Sequence, residues 1–242
     1  FITLLIVSLN TEAIDRNVPD DYSSIQAAIN DSDPDDVIVI APGKYQENII
    51  LTTELTLRGE ETARTLIEPD DNSTPAIALN NTNATIQNLT FINSPITIEV
   101  NGTGAITIRN NVFDVGNDGI GILLMDIDTN VDTINNTFYD NKIAIRGNLD
   151  FSQIKNNIFS KNEQVIDSPN NGNNISNNCY FENDDDGNTG NNPTLNEDPL
   201  FVNTSNEAGE RDFHLRDDSQ CIDAGQRFDK IEEESPTDAG AY

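Results

Sequence analysis

The chain has 242 residues, an apolar fraction of 36% and no tryptophan, which suits one domain with a thin core better than a broad-cored globule. Lysine and arginine number 13 against 42 aspartates and glutamates, a net charge of −29, and a surface of that sign argues against nucleic acid as a partner. An anionic polymer is repelled too, unless a local basic cluster or a bound cation reverses the field where it would lie.

Residues 1–13 open on Phe1-Ile-Thr-Leu-Leu-Ile-Val-Ser-Leu9, followed by Thr11-Glu12-Ala13. An apolar run ending in small residues is the pattern of a secretory signal peptide, so the segment is expected to be its remnant and the protein extracellular or on the cell surface. No later stretch approaches the roughly 18 apolar residues that would span a bilayer. Residues 14–35 are expected to cap the fold: Ser23-Ser-Ile-Gln-Ala-Ala-Ile-Asn30 carries a serine cap and an apolar stripe at helical spacing.

Over residues 36–197 the sequence repeats itself. Val37–Ile40, Ile49–Leu51, Leu55–Leu57 and Leu66–Ile67 read as strands of irregular early coils. Five aligned blocks follow, Ile86-Gln-Asn-Leu-Thr-Phe91, Ile108-Arg-Asn-Asn-Val-Phe113, Thr133-Ile-Asn-Asn-Thr-Phe138, Ile154-Lys-Asn-Asn-Ile-Phe159 and Ile175-Ser-Asn-Asn-Cys-Tyr180, with their aromatics 22, 25, 21 and 21 residues apart. One coil of a three-faced parallel β-helix has this period. Ile106 and Ile108 should point inward, and Phe91, Phe113, Phe138, Phe159 and Tyr180 should stack in the core. Asn88, Asn110, Asn135, Asn156 and Asn177 form a column whose amides are expected to bond from coil to coil, with the next asparagine taking the left-handed corner. A second strand follows each aromatic: Ile96–Ile98, Ile120–Ile122, Ile143–Ile145 and Val165–Ile166. An antiparallel sandwich offers no reason for such columns, so the fold class is all-β, a single-stranded right-handed parallel β-helix with a short N-terminal capping helix.

Asn183-Asp-Asp-Asp-Gly-Asn188 imitates part of a calcium loop, but Pro193 stands where the bidentate glutamate belongs, which leaves a polar loop. Residues 198–242 are expected to form closing coils. Cys179 and Cys221 pair as a disulfide or remain buried thiols; a bridge would stabilise by up to about 4 kcal/mol.

Val18-Pro-Asp-Asp-Tyr-Ser-Ser-Ile-Gln-Ala-Ala-Ile29 with Val37-Ile-Val-Ile-Ala-Pro-Gly-Lys-Tyr-Gln-Glu-Asn-Ile49, and later Asp198-Pro-Leu-Phe201, Asp212-Phe-His-Leu215, Ser219-Gln-Cys-Ile-Asp-Ala-Gly225 and Asp238-Ala-Gly-Ala-Tyr242, resemble the two ends of pectin-lyase-like β-helix proteins. The resemblance implies the fold over residues 18–242 and a polysaccharide or cell-surface glycan as partner, engaged by a monomer on a flat face. It does not fix an activity, because the same ends occur in proteins of many activities. The Gly-x-x-Asp-Phe-Ile-Phe-Gly type of segment of pectin methylesterases is missing, as are the Asn-x-Asp and Gly-His-Gly motifs of polygalacturonases; the single histidine, His214, lies in the closing segment and reads as structural. Lyases of the superfamily need a basic side chain on an outward face beside a neutralised uronate carboxylate. The alignment puts Gln87, Arg109, Ile134, Lys155 and Ser176 in one column, so Arg109 and Lys155 are the candidate catalytic residues, about 9–10 Å apart at the strand spacing. Glu99, Arg146 and Asp167 share the place after the aromatic and are candidate substrate-binding residues. Asp126 and Asp128, alternating onto one face, are candidate Ca²⁺ ligands. The competing reading is a non-catalytic adhesion or glycan-binding module.

Overall fold

The computed structural model describes residues 12–125, 130–169, 174–187, 189, 195–222 and 224–225. Within them the chain winds as a parallel β-solenoid of about seven turns. Sheet 1 holds Asp15–Val18, Val37–Ile40, Leu55–Gly59, Ala84–Gln87, Ala105–Arg109, Asn130–Ile134, Gln153–Lys155 and Ile175–Ser176, each paired in parallel with the next. Sheet 2 holds Gly43–Gln46, Thr65–Glu68, Thr90–Ile92, Val112–Asp114, Thr137–Tyr139, Ile158–Ser160 and Cys179–Phe181. Sheet 3 holds Ile49–Leu51, Ile77–Asn80, Ile96–Asn101, Ile120–Leu124, Ile143–Arg146 and Gln164–Asp167.

The expected columns are present. Phe91, Phe113, Phe138, Phe159 and Tyr180 stack in the core with successive ring centroids 5.1, 4.5, 5.0 and 5.4 Å apart, within the range of favourable offset stacking. Ile106 and Ile108 are buried.

The two corner asparagines exchange the roles expected of them. The first of each pair, Asn88, Asn110, Asn135, Asn156 and Asn177, takes the left-handed conformation, with φ between 55° and 58°. The second builds the ladder. Asn136 Oδ1 accepts from the Asn111 backbone N–H at 3.0 Å and from Asn111 Nδ2 at 3.1 Å, while its own Nδ2 donates to Ile108 O and to Asn157 Oδ1 at 2.8 and 3.1 Å. Asn157 repeats the pattern with Asn178 at 2.8 and 3.1 Å. The reason is geometric: the left-handed residue turns the chain, and the side chain of the residue after it is buried at the corner, where backbone groups lack sheet partners. A second ladder, unforeseen, runs along the next corner through Asn141, Asn162 and Asn183.

At the N-terminal end the helix Ile25–Asn30 packs against the first coils with Ile25, Ala28 and Ile29 buried, and Ser24 Oγ accepts from the Ala27 N–H at 3.1 Å. Glu47 clamps the helix start, its carboxylate accepting from the Ile25 and Gln26 N–H groups at 2.9 and 3.0 Å. The Pro42–Glu47 segment therefore has a structural use here. Arg16, buried, ties Asp36 and Asp31 together at 2.7 and 2.8 Å.

Over the described residues 198–222, the C-terminal segment forms a hairpin where closing coils are expected over 198–242. Phe201–Asn203 and Asp212–Leu215 form an antiparallel pair whose aromatic residues fold back onto the outward face of sheet 2. Phe201 and Phe213 pack on Tyr139, Val112 and Ile158 in a second apolar cluster. Arg211 reaches buried Asp114, pairs with Asp140 at 3.7 Å and lies 4.9 Å from the Tyr139 ring centroid. Cys179 and Cys221 form a disulfide with Cα atoms 6.2 Å apart, tying this segment to the last strand of sheet 2. His214, exposed, contacts Asp212 at 2.6 Å. No helix among the described residues is long and apolar enough to cross a membrane.

Replacing Asn136 by alanine is expected to cost about 3 kcal/mol or more in urea unfolding, since it strands the Asn111 N–H and the Ile108 carbonyl in the interior. Asn110→Gly should cost less than about 1 kcal/mol, because glycine adopts the same φ freely. Equal losses would contradict the division of labour. Burial pushes the Asp114 carboxyl up to about 6 against the opposing charge of Arg211. The folded protein therefore keeps a proton that the unfolded chain has already released. Stability due to this group is full below about pH 4 and lost as pH rises through about 6, by up to roughly 3 kcal/mol. Asp114→Asn removes that dependence, so its stability relative to the parent chain should rise between pH 4 and 7.5; parallel profiles would contradict the assignment.

Candidate functional site

Most strands of sheet 1 alternate buried and outward-facing positions, and the parallel register lines the outward-facing positions into two columns, the second of which includes the buried Ile134 and Ser176. One runs Thr56, Thr85, Thr107, Asp132, Gln153; the other runs Arg58, Gln87, Arg109, Ile134, Lys155, Ser176. The second column contains the one read from the sequence and extends it by Arg58. Arg109 and Lys155 are thus on one face, two strands apart, with Ile134 between them.

The pair is embedded in a polar surface. Lys155 Nζ donates to Gln153 Oε1 at 2.7 Å, and Gln153 Nε2 donates to Asp132 Oδ2 at 3.2 Å. Arg109 is half-buried and its Nε has no hydrogen-bond partner; burial pushes its guanidinium below the ordinary arginine value. Burial also raises Asp132, against the Gln153 hydrogen bonds and the Lys155 charge, and its Oδ1 is unpartnered. Unsatisfied buried polar atoms are costly, so a ligand that supplies partners for them is favoured at this spot. Toward the N-terminal end the same face dips into a depression of about 200 Å³ lined by Thr56, Thr85, Thr107, Asn83 and Glu54.

The other candidates lie elsewhere. Glu99, Arg146 and Asp167 do share a column, with Leu123 between Glu99 and Arg146, but on sheet 3. Arg146 pairs with Asp167 at 2.7 Å, and Glu99 accepts from Asn101 Nδ2 at 2.8 Å. They are therefore not assembled with Arg109 and Lys155 into one site. Asp126 and Asp128 lie outside the described residues, and among the described residues no three histidine, cysteine, aspartate or glutamate side chains are grouped to hold a metal ion. The calcium-like loop is explained by packing: Asn183 ends the second ladder, its Nδ2 donates to Asp186 Oδ1 at 3.0 Å, and Asp185 Oδ1 accepts from the Gly187 N–H at 2.8 Å.

Sequence reasoning passed over Arg58, Asp132, Gln153 and the three threonines. The signal was present, since Leu55-Thr-Leu57-Arg58 has the pattern of Ile106-Thr-Ile108-Arg109, and residues two places before the basic column share its face. In comparisons with known proteins, no family model matches the chain and no curated protein is significantly similar to it.

Proposed function

We propose that the protein is an extracellular β-helix of the pectin-lyase-like kind that binds a uronate-containing polysaccharide lengthwise along the outward face of sheet 1. The observation that carries this reading is the placement of Arg58, Arg109 and Lys155 in one column at every second strand. Coils are about 4.7–4.9 Å apart, close to the length of one sugar ring, so a chain laid along the axis meets a cation about once per disaccharide. This stripe supplies the local reversal of field that a molecule of charge −29 needs to hold an anionic polymer. Thr56, Thr85, Thr107 and Gln153 beside it supply hydroxyl and amide partners for sugar hydroxyls. The apolar N-terminal stretch and the disulfide support the extracellular placement.

A second reading, elimination at the bound uronate, is favoured by Arg109 alone. Its lowered pKa and uncommitted Nε suit a base that takes the proton beside the carboxylate. The electrons of that C–H bond then form the ring double bond, the neighbouring glycosidic C–O bond breaks, and a proton passes to the departing oxygen. No step is assigned to Ca²⁺.

Affinity electrophoresis in gels containing polygalacturonate or alginate, with dextran as the neutral control, tests the binding. The parent chain should be retarded by the uronates alone and less so at high salt. Arg58→Ala, Arg109→Ala and Lys155→Ala should each weaken retardation about fivefold, equivalent to about 1 kcal/mol. No retardation, or full retardation of the triple variant, would overturn the reading. Ultraviolet absorbance of unsaturated products, abolished by Arg109→Ala, would add the elimination; binding without such products would leave a glycan-binding module.

A further inference from the structure

The C-terminal hairpin does not lie flush on sheet 2. Between its approach and the last three strands of that sheet runs a groove of about 300 Å³, the lower end of the roughly 300–1,000 Å³ usual for ligand clefts. Phe181 gives it a partly exposed aromatic wall, Tyr139 and Phe201 line it from buried positions, and Lys161 and Arg216 bring two cations to it.

The placement of these cations sets the groove apart in so acidic a chain. Lys161 occupies a left-handed corner at φ 59°, in a column whose neighbours above and below are Asp140 and Glu182 at φ 57° and 51°. Its Nζ lies 5.7 Å from the Tyr139 ring centroid and 3.8 Å from Glu182. Arg216 holds its place through its backbone N–H, which donates to Leu200 O at 3.0 Å. Its guanidinium makes no hydrogen bond or ion pair among the described residues. The carboxylates at the rim are partly engaged: Glu182 faces Lys161, and Asp198 Oδ1 accepts from the Leu200 N–H at 2.8 Å. The hairpin that forms one wall is fixed by the disulfide, the Phe201–Phe213–Tyr139 cluster and the Arg211–Asp114 pair.

An inorganic anion has no use for the Phe181 ring, and a neutral sugar has no use for the Arg216 guanidinium. A carboxylate-bearing sugar uses both, its apolar ring face against Phe181 and its carboxylate in the guanidinium fork. We infer that the seam between the C-terminal hairpin and sheet 2 is a second carbohydrate site that takes one uronate-type sugar residue, with Arg216 and Lys161 on its carboxylate. The inference takes its glycan class from the function proposed above but uses a different sheet and different residues, so either can fail alone.

The test is an NMR titration of the isotope-labelled full chain with galacturonate, digalacturonate and, as neutral control, glucose. Galacturonate should move the signals of Lys161, Phe181, Thr204 and Arg216, and glucose should not. Arg216→Gln and Lys161→Gln, both at exposed positions, should raise the dissociation constant at least fivefold. The Arg58→Ala/Arg109→Ala/Lys155→Ala variant should retain the site. Unmoved groove signals, an equal response to glucose, or parental affinity in Arg216→Gln would overturn the inference. Polymer retardation lost only in the sheet 1 variant, with a silent groove, would retire the seam site and leave lengthwise binding standing; a responsive groove without polymer retardation would do the reverse.

Discussion

The fold depends on how its corners are satisfied. Within a sheet every strand finds backbone partners in the coils above and below, but at a corner the chain turns and its N–H and C=O groups leave that ladder. In the interior an unpaired backbone group costs about as much as a lost hydrogen bond. Asn111, Asn136, Asn157 and Asn178 solve this with one amide each, which accepts from the backbone of one coil and donates to a carbonyl, the first three donating also to the next amide. The chain of amides fixes the axial register of successive coils. That register puts the phenylalanines in contact and lines the outward residues of sheet 1 into columns.

The stacking was legible in the sequence because it is repetitive. Blocks 21 to 25 residues apart show the aromatic and asparagine columns directly, and their alignment puts Arg109 and Lys155 in one column two coils apart. The asparagine roles were not legible. Asn135 and Asn136 are chemically identical and both buried; the left-handed φ of the first, which turns the second amide toward the backbone groups of the adjoining coils, separates their roles. The second ladder, Asn141, Asn162 and Asn183, also keeps a 21-residue spacing, but its first corner is filled by Val115, whose N–H donates to Asn141 Oδ1, so the series looks shorter than it is.

Contacts outside the repeat were hidden for a different reason. Arg211 and Asp114 are 97 residues apart, and no periodicity links a hairpin strand to the face it covers. The closing segment reads as further coils because Phe201 and Phe213 suit a core. They do enter one, built on the outer surface of sheet 2. Charge followed the same division: the overall acidity and the Arg109–Lys155 column were plain from the sequence, while Arg58, in an irregular early coil, joins that column only through the strand register.

If the corner ladders align the outward columns of sheet 1 into a track for a uronate polymer, a crystal structure of the protein with a tetra- or hexagalacturonate will show it. The oligosaccharide should run parallel to the solenoid axis over Thr85, Thr107, Arg109 and Lys155, with alternate carboxylates facing the basic column. An oligosaccharide lying across the coils, or one seated on the Glu99–Arg146–Asp167 column of sheet 3, would contradict it.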